Sequence, residues 1–477
     1  MLAIASVVAA CVSFDTSSRS DQPAGSPAGP SGSEAAAVAT IPLLVDTDVA
    51  GDDLAAIASL VRDPEVELVA ITVSGTGEAH CPGGMFVVRS VVTMLRDDDI
   101  PVACGRAAPM GEAEAFPDAW RAAADAGNGL TLASPRYLPD ARSAEQLIVD
   151  LAGDEAVAGR TLTILTTGTL TNLASALALD PTLPTKVHVV SMLGAIAAPG
   201  NVQTQGAASP AEWNAHADPT AVRRVIEAGF DWTLVPLDAT NSTPLTSALY
   251  ATLEQDHAAG PADLVFELWS RNAWMYEGGS YLWDPLAAAA VRDPGIVTTR
   301  AASLRVVEGA GIDGGRLIED AGGSAVTVAV SADRSRFETA FLGWLRTGPA
   351  RSDPFTVNGD MLVTAGPGTC GVQMTPPTPQ VGLLRVAASS GGTGPHSIVV
   401  FQPGAVTWAE VEAFARAAPN GLASPPPVTT IGTIDLPEGG TGTFYADVAS
   451  GQLGVACVAG SFDKPIVTLA GPFAVAG

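Results

Sequence analysis

Four carboxylates lie within eight residues near the start of the chain, in the stretch Asp46-Thr47-Asp48-Val49-Ala50-Gly51-Asp52-Asp53. An apolar run precedes this stretch and an Ala-rich apolar run follows it, so the acids are predicted to lie on the turn from a buried strand into a helix. This turn lies at the carboxyl end of the strand, and in an open α/β sheet ligands bind at the carboxyl ends of the strands. Helix capping explains one or two acids, but clustered like charges repel unless a cation compensates them. An oxygen-rich acidic site suits Ca²⁺, so the sequence predicts a calcium site at this turn.

Short apolar runs alternate with amphipathic stretches from Val38 to about Gly348. This alternation predicts an α/β fold with a doubly wound, mostly parallel sheet. The predicted strands are 43–46, 66–74, 102–103, 161–166, 187–193, 232–236 and 325–330. The predicted helices include 85–96, 144–152 and 173–179.

The pattern strand-Asp-x-Asp-x-x-x-Asp-Asp-helix resembles the fingerprint of the nucleoside hydrolases, the inosine-uridine-preferring ribohydrolases. Later segments resemble this family in the same order, and they are Leu165-Thr166-Thr167-Gly168-Thr169-Leu170-Thr171-Asn172-Leu173, Ser191-Met192-Leu193-Gly194, Gly200-Asn201, Ala211-Glu212-Trp213-Asn214 with Asp218-Pro219, and Tyr281-Leu282-Trp283-Asp284-Pro285-Leu286-Ala287. One departure is Val49-Ala50, where the family usually has Pro-Gly. The resemblance implies a nucleoside hydrolase-like domain over residues 39–348 that cleaves the N-glycosidic bond of ribonucleosides.

The resemblance also implies a role for each matching residue. Ca²⁺ would be held by Asp48, Asp53, Asp284 and the carbonyl of Thr167, and Asp48 would take a proton from the attacking water. The ribose would be bound by Asp52, Met192, Asn201, Glu212, Asn214 and, through the metal site, Asp284. Asp46 would orient the other acids from behind them.

The group that assists departure of the base is less clear from the sequence. Many family members have a histidine before the last aspartate, whereas this chain has Trp283, and a second familiar histidine is missing from residues 124–129. Stacking of the base on Trp283 would favour purines. His80 lies in a loop at the same sheet edge, and it is either an alternative acid or a solvated loop histidine. Nearby aromatic residues are either core or a stacking surface, and they are Trp269, Trp274, Tyr276, Tyr281 and Trp283. The missing histidines also motivate a rival function, binding of ribosides or other polyols without turnover.

The amino terminus predicts export. Residues 1–38 combine a short apolar run with a Ser/Gly/Pro-rich tether, and Val8-Ala9-Ala10-Cys11 resembles a bacterial lipobox. Cys11 would then carry a lipid that holds the protein on the outer face of the bacterial cell membrane. The net charge of −26 argues against nucleic acid as a partner.

The four other cysteines predict two disulfides, because an even number in an exported protein favours pairing. Two lie in each expected domain, so Cys81–Cys104 and Cys370–Cys457 are the natural pairs. Residues 349–355 are predicted to be a linker, and residues 349–477 a small β-sandwich with strands at 383–388, 397–401, 443–446 and 453–458 and a helix at 408–417. Segments of this domain resemble cupredoxin-like proteins, but His396 is its only histidine, so no copper site is expected.

Overall fold

The computed structural model describes residues 40–96, 99–204, 207–391, 394–417, 427–461 and 464–476. Thr40–Gly477 forms one compact unit. The predicted signal segment, the tether and the lipid site at Cys11 lie outside the described residues, and the division of the unit near residue 348 stays a prediction. Among the described helices, none is both long enough and apolar enough to cross a bilayer.

The strands are, in chain order, β1 Ile41–Thr47, β2 Val66–Val73, β3 Val102–Cys104, β4 Leu162–Thr166, β5 Val187–Met192, β6 Gln203–Thr204, β7 Ala207–Ala208, β8 Asp231–Val235, β9 Val297–Val306, β10 Leu317–Glu319, β11 Ser324–Ala332, β12 Val357–Gly366, β13 Thr369–Thr375, β14 Gly382–Ser390, β15 His396–Gln402, β16 Thr429–Leu436, β17 Thr441–Val448, β18 Gly451–Ser461 and β19 Lys464–Val475. The helices are α1 Gly51–Leu60, α2 Cys81–Leu95, α3 Asp118–Asp125, α4 Ala144–Val157, α5 Thr171–Leu179, α6 Trp213–Ala217, α7 Pro219–Ala228, α8 Leu237–Thr240, α9 Ser247–Gln255, α10 Gly260–Arg271, α11 Trp283–Arg292, α12 Arg334–Leu345 and α13 Trp408–Ala417. A π-helical turn spans Met275–Gly279.

Nine strands form the central sheet in the order β10-β9-β11-β8-β5-β4-β1-β2-β3. Strand β1 pairs in parallel with β2 on one side and with β4 on the other. The chain therefore first builds the sheet outward through β2 and β3 and then crosses to the other side of β1. Such a switch point opens a crevice at the carboxyl ends of the strands.

The predicted doubly wound α/β fold is confirmed, and each of the seven predicted strands is present. The prediction missed β9 and β10, which form the antiparallel edge of the sheet. Strand β9 exposes most of its middle residues, so it lacks the apolar run that marks a strand buried on both faces.

Strand β1 is covered on both faces, which explains its unbroken apolar sequence. Leu43 and Val45 belong to one core cluster, whereas Leu44 between them belongs to the other. On the first face α1 packs against α10, α11 and α12, and on the second α5 packs against α4 and α7. The two cores fix the end of β1, and with it the acidic turn.

The C-terminal strands form two four-stranded sheets, in the orders β13-β12-β14-β17 and β16-β15-β18-β19. Apolar residues of both sheets share one core, so the sheets pack face to face as a sandwich. The helix predicted at 408–417 is present as α13.

Both predicted disulfides are present. Cys81 at the start of α2 pairs with Cys104 at the end of β3, and Cys370 pairs with Cys457 across the two sheets of the sandwich.

Candidate active site

A cavity of about 700 Å³ opens at the carboxyl ends of β1, β4 and β5. Sequence-predicted site residues from six separate segments line it, namely Asp48, Asp52, Asp53, Thr167, Met192, Asn201, Glu212, Asn214, Trp283 and Asp284. Among the described residues that line this cavity, none is a lysine or an arginine. Tertiary folding thus gathers the predicted chemical groups at one place and leaves their charge uncompensated.

Three of the acids form the closest group. Oxygen atoms of Asp52, Asp53 and Asp284 all lie within 4.8 Å of one another, and the three side chains are buried. Within the described part of the chain, Asp284 Oδ1 has no hydrogen-bond partner. A buried carboxylate oxygen without a donor, beside two further carboxylates, suits a divalent cation with oxygen ligands. Of the predicted carboxylate ligands, Asp53 and Asp284 belong to this group and Asp48 lies outside it, while the structure adds Asp52.

The carboxylate of Asp53 is held by four donors from two strand ends. Its Oδ1 accepts hydrogen bonds from the hydroxyls of Thr47, at 2.5 Å, and Thr167, at 2.6 Å, and from the Asp48 amide at 3.3 Å. Its Oδ2 accepts the amide of Ala50 at 3.1 Å, at the start of α1. These bonds fix the orientation of Asp53 between β1 and β4.

Asp48 sits in a tight backbone enclosure beside this group. The amide of Glu78 donates to its Oδ2 at 3.0 Å. A Cβ atom at Gly77 would lie 2.2 Å from the Asp48 Cβ, and one at Gly168 would lie 2.8 Å from it. Only glycine allows this approach at the two positions, so the enclosure holds the Asp48 side chain in one place.

Asp46 lies below the cavity, outside its lining. Its Oδ1 accepts hydrogen bonds of 2.7 Å from the Thr72 hydroxyl and the Asn172 amide group. Its carbonyl accepts the amide of Thr167 at 2.8 Å. Asp46 therefore joins β1 to its two neighbouring strands and positions the Thr167 backbone, while the carboxylates above it are oriented by other donors.

The acidic turn contains a strained residue. Val49 has φ +70°, a left-handed conformation that β-branched residues rarely adopt. Its amide donates to Thr47 Oγ1 at 3.0 Å, and its carbonyl accepts the side-chain amide of Asn128 at 3.1 Å. Val49-Ala50 therefore keeps the acids clustered without the usual Pro-Gly, and Asn128 helps to hold the turn.

Burial changes the acidity of the cluster. It raises the pKa of Asp52 to about 7, and the nearby charge of Asp53 adds to the effect. Burial and the neighbouring acids also raise the pKa of Asp48 and of Asp284 well above the usual range. Glu78, which lines the cavity, has its pKa raised to about 8 by burial and by Asp52 and Asp53. Without a cation, the cluster therefore retains protons near neutral pH.

The predicted sugar-binding side chains are oriented by the backbone. Asn214 donates through Nδ2 to the carbonyls of Thr167, at 2.9 Å, and Met192, at 3.2 Å. The Glu212 carboxylate caps α6 by accepting the Asn214 amide at 2.8 Å. Asn201 Oδ1 accepts the amide of Trp213 at 3.0 Å. These bonds leave further acceptor sites on the oxygen atoms for hydroxyl groups of a ligand.

Two groups of aromatic side chains form walls of the cavity. Of the aromatic residues considered above, Trp274 and Trp283 line it, whereas Trp269 and Tyr276 are buried in the core. The second wall consists of residues that the sequence interpretation did not assign to the site, Phe116, Trp120 and Trp213. The rings of Phe116 and Trp213 stack at 5.0 Å, and Trp120 meets Trp213 edge-on at 5.6 Å. Trp213 lies inside the Glu-Trp-Asn motif and was identifiable, whereas Phe116 and Trp120 lie in a stretch without a strong motif.

His80 occupies a different position from that expected of a catalytic acid. It is not among the described residues that line the cavity, and its side chain is 56% exposed. His80 precedes α2, and its Nδ1 lies 2.7 Å from Oδ2 of Asp125, the last residue of α3. Glu78, two residues earlier, reaches the cavity instead, and the sequence interpretation missed it.

The fold and the site define an α/β protein with a buried carboxylate centre beside a large polar and aromatic cavity. A family model described as inosine-uridine preferring nucleoside hydrolase matches residues 43–339. The chain belongs to this family.

Curated relatives and solved structures agree with this assignment. The chain is 29% identical over 269 residues to the pyrimidine-specific ribonucleoside hydrolase RihA of Salmonella enteritidis, covering 54% of this chain and 82% of the relative. It is 29% identical over 263 residues to the inosine-uridine preferring nucleoside hydrolase of Leishmania major, covering 54% of this chain and 80% of the relative. The inosine-uridine preferring nucleoside hydrolase of Bacillus anthracis superposes with a TM-score of 0.57 at 25% identity, covering 64% of this chain and 99% of that chain. The purine-preferring ribonucleoside hydrolase of Gardnerella vaginalis superposes with a TM-score of 0.54 at 27% identity, covering 64% of this chain and 98% of that chain.

Proposed function

We propose that this protein hydrolyses the N-glycosidic bond of ribonucleosides to release the free base and ribose. The observation that carries the proposal is the convergence of two sets of residues in one cavity. Asp52, Asp53 and Asp284 form the buried acid group, and Asn201, Glu212 and Asn214 provide polar atoms suited to a vicinal diol. Family membership supports the same reaction class.

The donor set favours Ca²⁺ as the cofactor, because it consists of carboxylate and carbonyl oxygens. Asp48, Asp53, Asp284 and the Thr167 carbonyl would hold the ion, and Asp52 lies close enough to contribute an oxygen or to bind a ribose hydroxyl. When bound, such a cation lowers the pKa of a water ligand and attracts hydroxyl oxygens of the sugar.

The residues of the chain supply the remaining chemistry. Asp48, fixed by the Glu78 amide and by two glycines, acts as the base that removes a proton from the attacking water. The bond to the base breaks as positive charge develops on the ribose ring, and the buried carboxylates stabilise that charge. Asn214 holds the Thr167 carbonyl, so it couples the position of the sugar to that of the acids.

The aromatic walls support a preference for purine nucleosides. A nucleobase next to Trp283 or Trp274 has an aromatic face for stacking, and larger bases stack over more area. Stacking raises the proton affinity of the base, so solvent protonates it during departure. Relatives include enzymes named for pyrimidine and for purine substrates, so the preference rests on these side chains.

The direct test is to incubate the purified protein and Ca²⁺ with a panel of purine and pyrimidine ribonucleosides while free base and reducing sugar are measured. We expect equal release of both products and loss of release in EDTA. Metal-dependent binding of ribosides without base release would instead support the rival function, a riboside-binding lipoprotein.

We further propose that the protein is exported and held at the outer face of the cell membrane by a lipid on Cys11. The lipobox-like stretch at residues 8–11 and the following tether support this location. Cys11→Ser should move the protein from the membrane fraction to the soluble fraction, and identical fractionation of both forms would contradict the lipid anchor.

A further inference from the structure

The two faces of strand β17 in the C-terminal sandwich contact different parts of the molecule. Phe444, Ala446 and Val448 point into the core of the sandwich. Because side chains alternate along a strand, Thr443, Tyr445 and Asp447 share the opposite face. That face meets the α/β part of the molecule, since β17 packs against α10.

The two ends of this second face contact the segment 271–277. The carboxylate of Glu277 lies against the backbone of Gly442 and Thr443. Asp447 Oδ2 lies 3.0 Å from Arg271 Nη1. We call the face formed by Thr443, Tyr445 and Asp447 the β17 strip.

Tyr445 acts through a second tyrosine. Its hydroxyl lies 2.8 Å from that of Tyr250, and the ring of Tyr250 stacks on Tyr276 with centroids 4.1 Å apart. The three tyrosines are buried, with 6–8% of their surface exposed. The strip is therefore linked to Tyr276 through the buried ring of Tyr250.

The same segment forms one wall of the catalytic cavity. Asn272, Trp274 and Met275 line that cavity. Asn272 Nδ2 donates to the carbonyl of Asn128 at 2.7 Å, and Asn128 in turn donates to the carbonyl of Val49 in the acidic turn.

Met275 makes a second contact with the acidic turn. A Cβ atom at Gly51 would lie 3.3 Å from its terminal methyl group, so Met275 packs directly beside the residue before Asp52. The wall thus touches both the base-binding side of the cavity and the turn that carries the acids.

We propose that the β17 strip positions this wall, so that the C-terminal sandwich sets the affinity of the active site for its nucleoside. The proposal rests on the proposed function. Tyr445 and Asp447 are positioning residues, because neither is among the described residues that line the catalytic cavity.

A second contact between the same two parts provides a matched control. Arg385 Nη1 of β14 lies 2.8 Å from Glu254 Oε1 of α9. Glu254 does not belong to the described lining of the catalytic cavity. Glu254→Gln therefore weakens a contact between the parts while every side chain of the wall and of the β17 strip stays unchanged.

The experiment compares the double variant Tyr445→Phe/Asp447→Ala with Glu254→Gln in the full chain. Both changes in the double variant are needed, because the exposed Asp447 makes a weak ion pair on its own. We expect KM for the best nucleoside to rise by about tenfold in the double variant, with kcat changed by less than about twofold. In Glu254→Gln, both constants should stay within about twofold of the wild type.

Hydrogen exchange measured by mass spectrometry gives a readout that needs no turnover. Peptides covering residues 271–280 should exchange faster in the double variant than in the wild type. In Glu254→Gln, their exchange rate should equal that of the wild type. Unchanged exchange there in the double variant, or faster exchange with an unchanged KM, would overturn the proposal. If the wild type cleaves no nucleoside, the proposed function fails, while the exchange comparison still decides whether the strip positions the wall.

Discussion

Two groups of carboxylates among the buried residues that the structure describes have different partners. Asp263 and Glu267 on α10 are paired with the guanidinium of Arg351, through Nε at 2.7 Å and Nη2 at 2.9 Å. The backbone amides of Thr131 and Phe355 donate further hydrogen bonds, and Arg271 Nε forms an ion pair with Glu267 at 3.4 Å. Asp52, Asp53 and Asp284 are equally buried but have no basic side chain among the described residues of their cavity.

The difference separates a structural group from a chemical one. A buried charge is expensive unless it is paired, so the fold supplies Arg351 where the carboxylates join two parts of the molecule. At the cavity, the acids share backbone amides and threonine hydroxyls that orient them without neutralising them. A cluster of carboxylates without a basic partner is suited to a cation from solution, which takes the place of the protons.

The largest expected effect is on the unpaired group. Asp284→Ala should lower kcat/KM by about a thousandfold or more and abolish tight calcium binding, because it removes both charge and a ligand oxygen. Calorimetry and nucleoside turnover measure the two losses. Asp263→Asn, at an equally buried acid, should leave calcium affinity unchanged, and retained affinity in Asp284→Ala would contradict the proposed ligand set.

The paired group should respond in stability instead. Arg351→Leu leaves Asp263 and Glu267 without their main cation, so we expect a loss of about 3–5 kcal/mol in the free energy of unfolding. Urea denaturation of the calcium-loaded protein measures it. Calcium affinity should stay at the wild-type value, and a loss of affinity equal to that in Asp284→Ala would remove the distinction between the two groups.

A smaller effect is expected where the cavity meets the base. Trp283→Ala should lower kcat on inosine by about 10- to 100-fold, because stacking on one aromatic ring is worth about 1–3 kcal/mol. A p-nitrophenyl riboside, whose leaving group needs no protonation, should lose much less. His80→Ala should change neither rate, and a purine-selective loss in His80→Ala would assign the acid to that histidine.

The smallest expected effect is a change in the stability of the protein with pH. Burial raises the pKa of Asp46 and of Asp52 to about 7, above the value of about 4 expected in the unfolded chain. Between these pH values the metal-free folded protein binds more protons than the unfolded chain, so its stability falls as pH rises through that window.

Calcium binding displaces those protons and should reverse the trend. We expect the difference in Tm between calcium and EDTA to be larger at pH 7.5 than at pH 5, by a few degrees. Differential scanning fluorimetry measures it, with Asp52→Asn as a variant in which the pH dependence flattens. A difference that shrinks toward pH 7.5 would mean that the acids are charged without calcium.

The sequence by itself determined the local parts of the site. The apolar run of β1 and the start of α1 placed Asp48, Asp52 and Asp53 on one turn, because periodicity reports which residues a strand or helix buries. Motifs that resemble those of the nucleoside hydrolases identified Thr167, Asn214 and Asp284 as partners, and the number and distribution of the cysteines predicted both disulfides.

Only the tertiary structure decided which side chains meet. It brought Glu78 and Trp120 into the cavity and placed His80 outside the described lining. Glu78 and His80 lie in the loop before α2, whereas Trp120 lies on the short helix α3. The tertiary structure also buried Arg351, which the sequence interpretation placed in a linker. Local patterns record the burial of each element, whereas the distance between loops depends on how the elements pack. For that reason only the fold shows that Arg351 pairs with Asp263 and Glu267, whereas no described residue that lines the catalytic cavity is a lysine or an arginine.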